Sequence, residues 1–247
     1  MAKPLEVWLE ADVGPLRDEP LARLSEYHFF RDPSRPIYAD PSCFLAPADG
    51  VLVYQETVDP DGPLLDIKGR PYSLRTAMRD DGYDKRSLVV AIFMTFFDVH
   101  VNRVPYPGRL SWRSLEPTET HNRPMLAMEK ELVENRCIAL NQAGYVYSNQ
   151  RMVNRIASHL LPDPYYVLQI ADYDVDSITP FELKQNQPVD QGHRFSMIRF
   201  GSQVDLIIPL SDLYELQTVH PTGYHVEAGV DAVVRITGRD DKEAGDG

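Results

Sequence analysis

The stretch 192–209, GHRFSMIRFGSQVDLIIP, decides how this chain is read. Phe195, Met197, Val204, Leu206, Ile207 and Ile208 give it the composition of a strand. Yet Gly201-Ser202 stands at its centre, and a glycine inside a strand loses packing and costs about 0.5–1 kcal/mol relative to alanine. The residues alone leave two readings open. The pair marks a β-bulge or tight corner, or it marks a place where chemistry must reach the backbone.

Working outward, further strand-like runs alternate with Asp-Gly and Pro-Gly turn signals: GVLVYQETV (50–58), PLLDIKG (63–69), LVVAIFMTFF (88–97), ALNQAGYVYS (139–148), YYVLQI (165–170) and VEAGVDAVVRITG (226–238). RPMLAMEKELVENR (123–136) reads as a helix. So does SNQRMVNRIASHLLP (148–162), where Met152, Val153, Ile156, Ala157, Leu160 and Leu161 fall at helical spacing, Ser148 or Asn149 caps the start and Pro162 follows the end. PLARLSEYHFF (20–30) is a weaker helix. The pattern predicts a mainly β fold with a few helices (α+β), a single compact β domain with Gly201-Ser202 between strands. Residues 1–36 read as a polar lead-in, 37–238 as the domain and 239–247 as a disordered tail.

At 247 residues the chain is long enough for one domain with a sizeable core. Its 37 Asp and Glu against 25 Lys and Arg leave a formal net charge of −12, which argues against nucleic acid as a partner, since phosphate contacts need clustered cations. The same balance argues against purely electrostatic docking on anionic lipid. Cys43 and Cys137 are the only cysteines and show no metal-ligand spacing, so they read as reduced thiols and no metal is expected. The first twenty residues, broken by Pro4 and Pro15, resemble neither a signal peptide nor a membrane span, and the run 88–97 is too short to cross a bilayer. The expected location is the cytoplasm, with any membrane contact peripheral on the inner face.

Asp49 lies in APADG (46–50), where Asp-Gly is by itself a common turn pair. His100 lies in FMTFFDVHVNRVPYPG (93–108), and strand alternation would set it on one face with Asp98 and Asn102. A buried histidine satisfied by a neighbour is the plainer account of it. A carboxylate, an imidazole and a hydroxyl (Asp49, His100 and Ser202) are also the parts of an activated nucleophile, although spacing cannot show that they meet.

Taken in order, YHFFRDPSRPI (27–37), APADG, DIKGRPYSL (66–74), FMTFFDVHVNRVPYPG, VENR (133–136) and GHRFSMIRFGSQVDLIIP resemble the motifs of the phosphatidylserine decarboxylase family, particularly its short bacterial and archaeal branch. The resemblance covers most of residues 27–209. It implies that the protein cuts itself between Gly201 and Ser202, giving a β chain of residues 1–201 and an α chain of residues 202–247 that begins with a pyruvoyl group derived from Ser202. It further implies that His100 is the base and acid, that Asp49 orients His100, and that the pyruvoyl carbonyl forms a Schiff base with the amine of phosphatidylserine before CO2 leaves. No pyridoxal phosphate and no metal would be needed.

The resemblance thins in three places. Short-branch members usually carry apolar N-terminal segments, which this sequence lacks. The family's Gln-Ile-Ala-Gly followed by paired arginines is here QIADYDVDSI (169–178), with Asp172 at the glycine position. The stretch 148–164 reads as an insertion. These departures bear on substrate delivery and keep three functions in view: decarboxylation of phosphatidylserine, the same chemistry on a soluble amine-bearing carboxylate, and an uncleaved binding module. A phospholipid route would need weak membrane contact through 20–30 or through the stripe Met152, Val153, Ile156 and Leu160. A homo-oligomer is compatible with all three.

Overall fold

The apolar runs become the middle of a nine-stranded sheet in the computed structural model, which describes residues 1–20, 23–28, 30–37, 39–67, 69–173, 177–199 and 201–238. In chain order the strands are β1 (Lys3–Pro4), β2 (Cys43–Leu45), β3 (Gly50–Val58), β4 (Leu65–Ile67), β5 (Arg70–Tyr72), β6 (Ser87–Met94), β7 (Val101–Arg103), β8 (Gly108–Leu115), β9 (Arg151–Ala157), β10 (Tyr165–Ala171), β11 (Ile178–Pro180), β12 (Gln187–Val189), β13 (Arg194–Ile198), β14 (Ser202–Pro209), β15 (Tyr214–Thr218), β16 (Tyr224–Val226) and β17 (Ala232–Gly238). The α-helices are α1 (Leu5–Trp8), α2 (Leu74–Met78) and α3 (Leu126–Glu134).

The large sheet runs β1-β16-β3-β6-β14-β10-β9-β8-β12, and β11-β13-β7, β15-β17-β2 and β4-β5 form smaller sheets. All eight residues of β6 and all eight of β14 are buried, so the sheet centre is covered on both faces. Alternation along β14 divides the core. Val204, Leu206 and Ile208 join one apolar cluster with Leu88, Val90 and Ile92, while Ile207 joins the other with Val89, Ala91 and Phe93. Burying residues such as these stabilises by roughly 1.5–3 kcal/mol each. Gly50, at the start of β3, is required by close approach: a Cβ there would lie 2.2 Å from the Phe93 carbonyl oxygen.

Three expectations need correction. The helix expected over 148–162 is strand β9, paired with β10 on one side and β8 on the other. Its Met152 and Ile156 enter one core cluster and Val153 the other. A strand apolar on both faces loses its period of two, and here the remaining apolar positions imitate a helical stripe. The expected strand at 139–148 is instead two short helical turns, Leu140–Gln142 and Gly144–Tyr147, with Tyr145 and Val146 buried. The lead-in is not merely polar. Leu5, Trp8, Leu9 and Val13 are buried in the core, and β1 extends the sheet beside β16. In the weaker helix, Leu24–His28 forms a helical turn. The expected disordered tail, 239–247, lies outside the described residues.

The decisive stretch is not one strand. β13 pairs with β7 and β11 in a small sheet, whereas β14 pairs with β6 and β10 in the large one. The chain changes sheets between Ile198 and Ser202, and Gly201 lies in that interval.

Candidate active site

Ser202 is the first residue of β14, fully buried, and stands opposite Met94 of β6 and Ala171 of β10. Two-sided pairing fixes its backbone. Its hydroxyl donates to Met94 Sδ at 3.1 Å, a weak acceptor. Gly201, just before it, has no room for a side chain: a Cβ there would lie 2.8 Å from Asp172 Oδ2, with Glu129 Oε2 at 3.7 Å and Phe96 Cε1 at 3.6 Å.

The turn Thr95–Asp98, leaving β6, gathers the charged groups. Asp98 is buried and accepts from the Thr95 amide at 2.7 Å and the Thr95 hydroxyl at 2.8 Å. It also pairs with His225 Nε2 at 2.6 Å, and Trp8 stacks on that imidazole with ring centroids 4.5 Å apart. Burial alone would raise the Asp98 pKa; the His225 charge and hydrogen bond, together with Thr95, outweigh burial and hold it below its ordinary value. Arg31 covers the turn from outside, donating to the carbonyls of His28, Phe97 and Asp98.

His100 is fully buried beside this turn. Its Nε2 lies 3.0 Å from the Thr95 carbonyl and its Nδ1 lies 3.2 Å from the Ile198 carbonyl. The two contacts set the ring between the residue after Met94 and the residue four places before Ser202. A neutral imidazole donates to only one of these oxygens. Burial lowers the His100 pKa, opposed by the Thr95 carbonyl and the Asp98 charge and assisted by Arg31, so the neutral ring is favoured.

The strand pairing of Ser202 with Met94 and the His100 contacts to Thr95 and Ile198 set Ser202, Gly201 and His100 around one turn, while Asp49 is held by Arg35. Asp49 receives a bidentate pair from Arg35, with both nitrogen–oxygen distances 2.6 Å, and the Ala228 amide at 2.7 Å. No hydrogen bond joins Asp49 to His100 among the described residues. The carboxylate whose charge reaches His100 is Asp98, acting across two residues of the same turn. The physical reason is competition: a buried guanidinium takes both oxygens of Asp49 in a fork geometry that an imidazole cannot match.

Sequence reasoning missed Glu129 as a site residue. It sits on the buried side of α3, with Met128, Leu132 and Val133. Its Oε1 accepts from the Phe96 amide at 2.9 Å. Burial pushes its pKa up to about 8, opposed by that amide and assisted by the charges of Asp172 and Asp98. Asp172 is anchored by the Met125 amide, 2.7 Å from Oδ1. A charged residue interrupting an otherwise apolar helix face was the available signal. A cavity of about 600 Å³ reaches Glu129 between Phe96, Phe97, Leu126 and Val133, with Arg17 and Lys130 also on its wall.

Comparison with known proteins identifies relatives of this sequence. The family model for phosphatidylserine decarboxylase matches residues 26–232. A phosphatidylserine decarboxylase proenzyme of Burkholderia cenocepacia is 29% identical over 182 residues, 74% of this chain and 67% of that protein. A protein of Methanopyrus kandleri described as an archaetidylserine decarboxylase proenzyme is 28% identical over 208 residues, 84% of this chain and 80% of its own. With a buried serine opening a central strand after a sheet-changing corner, and a family match over most of its length, this chain belongs to the phosphatidylserine decarboxylase family.

Proposed function

We propose that the protein is a self-processing, pyruvoyl-dependent carboxy-lyase that converts phosphatidylserine to phosphatidylethanolamine and CO2. The observation that carries this reading is the placement of Gly201-Ser202. The nucleophile is locked in the sheet centre while its scissile partner lies in the corner before it. In the cleavage step His100 takes the Ser202 proton, Oγ bonds to the Gly201 carbonyl carbon, and the carbon–nitrogen bond breaks to leave an ester. Elimination across the Ser202 Cα–Cβ bond releases the Gly201 carboxylate. Water then replaces the nitrogen, which leaves as ammonia.

The residues present suit the resulting group. Position 202 is fully buried, its backbone is held by β6 and β10, and the Met94 thioether beside the serine side chain suits the methyl group that Cβ becomes once Oγ has left. When formed, the pyruvoyl group supplies an electron-accepting carbonyl for an amine substrate. His100, neutral and beside it, is placed to move a proton. The cavity beside Glu129 has apolar walls suited to a lipid's glycerol end, and Arg17 suits its phosphate, Lys130 lying 3.9 Å from Glu134 on the same wall. Leu126, 59% exposed on that wall, offers a peripheral contact with a lipid surface.

Denaturing mass spectrometry of the purified protein, followed by trapping of CO2 from phosphatidylserine vesicles and from free serine, tests the reading. Two chains split after Gly201, with CO2 released from vesicles, support it. An intact chain defeats it, and CO2 from free serine alone replaces the lipid with a soluble substrate.

A further inference from the structure

Two carboxyl side chains on different elements converge on the residue whose carbonyl is attacked. Glu129 projects from α3 and Asp172 follows the end of β10. Each is anchored through one oxygen by a backbone amide, Glu129 Oε1 by Phe96 and Asp172 Oδ1 by Met125. Each turns its other oxygen to Gly201, at 3.7 Å and 2.8 Å from the point where a Cβ would stand. Burying two carboxyls a few ångströms apart is unfavourable unless one holds a proton.

We infer that Glu129 is the acid of the cleavage step, giving its proton to the Ser202 nitrogen as the Gly201–Ser202 bond breaks, with Asp172 as its positioning neighbour. This rests on the self-cleavage reading above. Attack by Ser202 Oγ sends its proton to His100 and places negative charge on the Gly201 oxygen. Collapse of that adduct sends the carbon–nitrogen electron pair to nitrogen, which cannot leave as an anion. The proton from Glu129 makes it the amine of the ester. Glu129 remains as a carboxylate and is reprotonated from solvent through the adjoining cavity.

The charges around Glu129 fit the assignment. Asp172 and Asp98 face it and favour the protonated form, while Asp98 is itself paired with His225. Arg31 lies behind the Thr95–Asp98 turn. Arg17, Lys130 and Glu134 line the cavity on the solvent side. The acid form persists to about pH 8, so it is present at neutral pH.

The test follows precursor made by pulsed cell-free synthesis and chased into buffers between about pH 6 and about pH 9, with chain cleavage read on denaturing gels. Wild-type cleavage should slow as pH rises through about 8, when Glu129 loses its proton. Glu129→Gln keeps an acceptor for the Phe96 amide but carries no acidic proton. It should cleave about 10²–10⁴-fold more slowly and lose the alkaline limb. Asp172→Asn should move that limb to lower pH, which a purely structural role would not do. If Glu129→Gln fails to fold, Glu129→Asp supplies the second arm and should cleave partially with its alkaline limb retained. Wild-type rate in Glu129→Gln, or an unmoved limb in Asp172→Asn, overturns the inference while leaving self-cleavage standing. An uncut wild type overturns both.

Discussion

Removing Arg35 separates an architectural role for Asp49 from a catalytic one. The pair is buried, with side chains 7% and 5% exposed, and both of its bonds are 2.6 Å long. Arg35 also donates to the Ala228 carbonyl at 2.7 Å, so it ties residue 35 to the turn before β3 and to the turn after β16. Arg35→Met preserves bulk but leaves Asp49 with the Ala228 amide alone. Stranding one charge of such a pair costs about 3–5 kcal/mol. For a chain of this size each kcal/mol moves Tm by about 2–4 °C, so the expected drop is roughly 6–20 °C. Adding Asp49→Asn removes the stranded charge and should restore much of the loss. The assay is thermal unfolding in a Ser202→Ala background, where all molecules are uncut, paired with cleavage kinetics in the Ser202 protein well below Tm. If Asp49 is a clamp, Arg35→Met and Asp49→Asn slow cleavage by similar small factors. The reasoning is refuted if Asp49→Asn stays folded but loses about 10²–10⁴-fold in cleavage while Arg35→Met cleaves normally, because Asp49 would then act on the base directly.

Ser202→Ala should yield one uncut chain with no decarboxylase activity, visible by mass spectrometry, since no hydroxyl remains to form the ester. His100→Ala should stop processing yet stay folded by circular dichroism; normal cleavage in this variant would place the base elsewhere. Asp205, buried on β14 and bonded to Tyr54 and Gln203, has its pKa raised by burial from 3.8 to about 6. The native state therefore keeps a proton that the unfolded chain releases. This contribution to stability is fully present below about pH 4 and falls by about 3 kcal/mol up to about pH 6; Asp205→Asn should flatten that part of a urea-denaturation pH series. Ile156→Asp should unfold the protein rather than loosen it from vesicles, because Ile156 is core; loss of vesicle activity alone would contradict the position of β9.

The β character was legible because β6, β10, β14 and β17 carry runs of Val, Ile, Leu and Phe that few other structures bury. β9 was not, since its two buried faces erase alternation and Arg151 looks like a surface residue. In the fold that arginine is buried, donating to the carbonyls of Thr76 and Ala77 at the end of α2. Only tertiary structure brings those carbonyls to it. At the site, Gly201-Ser202 announced itself as an anomaly within a strand pattern, and His100 as a histidine closing an apolar run. The partner of Asp49 could not be read, because Arg35 lies fourteen residues away in a Pro-flanked segment without periodicity. The pairing of Asp98 with His225 spans 127 residues and depends on β16 lying beside β3. Glu129 was visible as a charge on an apolar helix face and Asp172 as a departure at a glycine position, but their convergence on Gly201 is a property of the packed helix and sheet.

The placement of the cut also decides what cutting can change. β14 begins at the proposed cut and is paired from Ser202 to Pro209 with β6 and from Ser202 to Ile207 with β10, both on what would be the large chain. β16 and β17 of the small chain pair with β3 and β2 of the large one. His225 of the small chain holds Asp98, which holds the turn against which His100 rests. Breaking that peptide bond would therefore release neither fragment, and the small chain would keep its contact with the site through His225 and Asp98. What the proposed cut would free is the chain end at Gly201, which belongs to neither β13 nor β14. Gly201 stands beside Glu129, which lines the cavity. Placing the scissile bond in a strand interior would have required breaking ladder hydrogen bonds to expose the new group. Placing it in a surface loop would have left that group in water. The corner between two sheets gives a buried reactive position on one side of the bond and a movable chain end on the other.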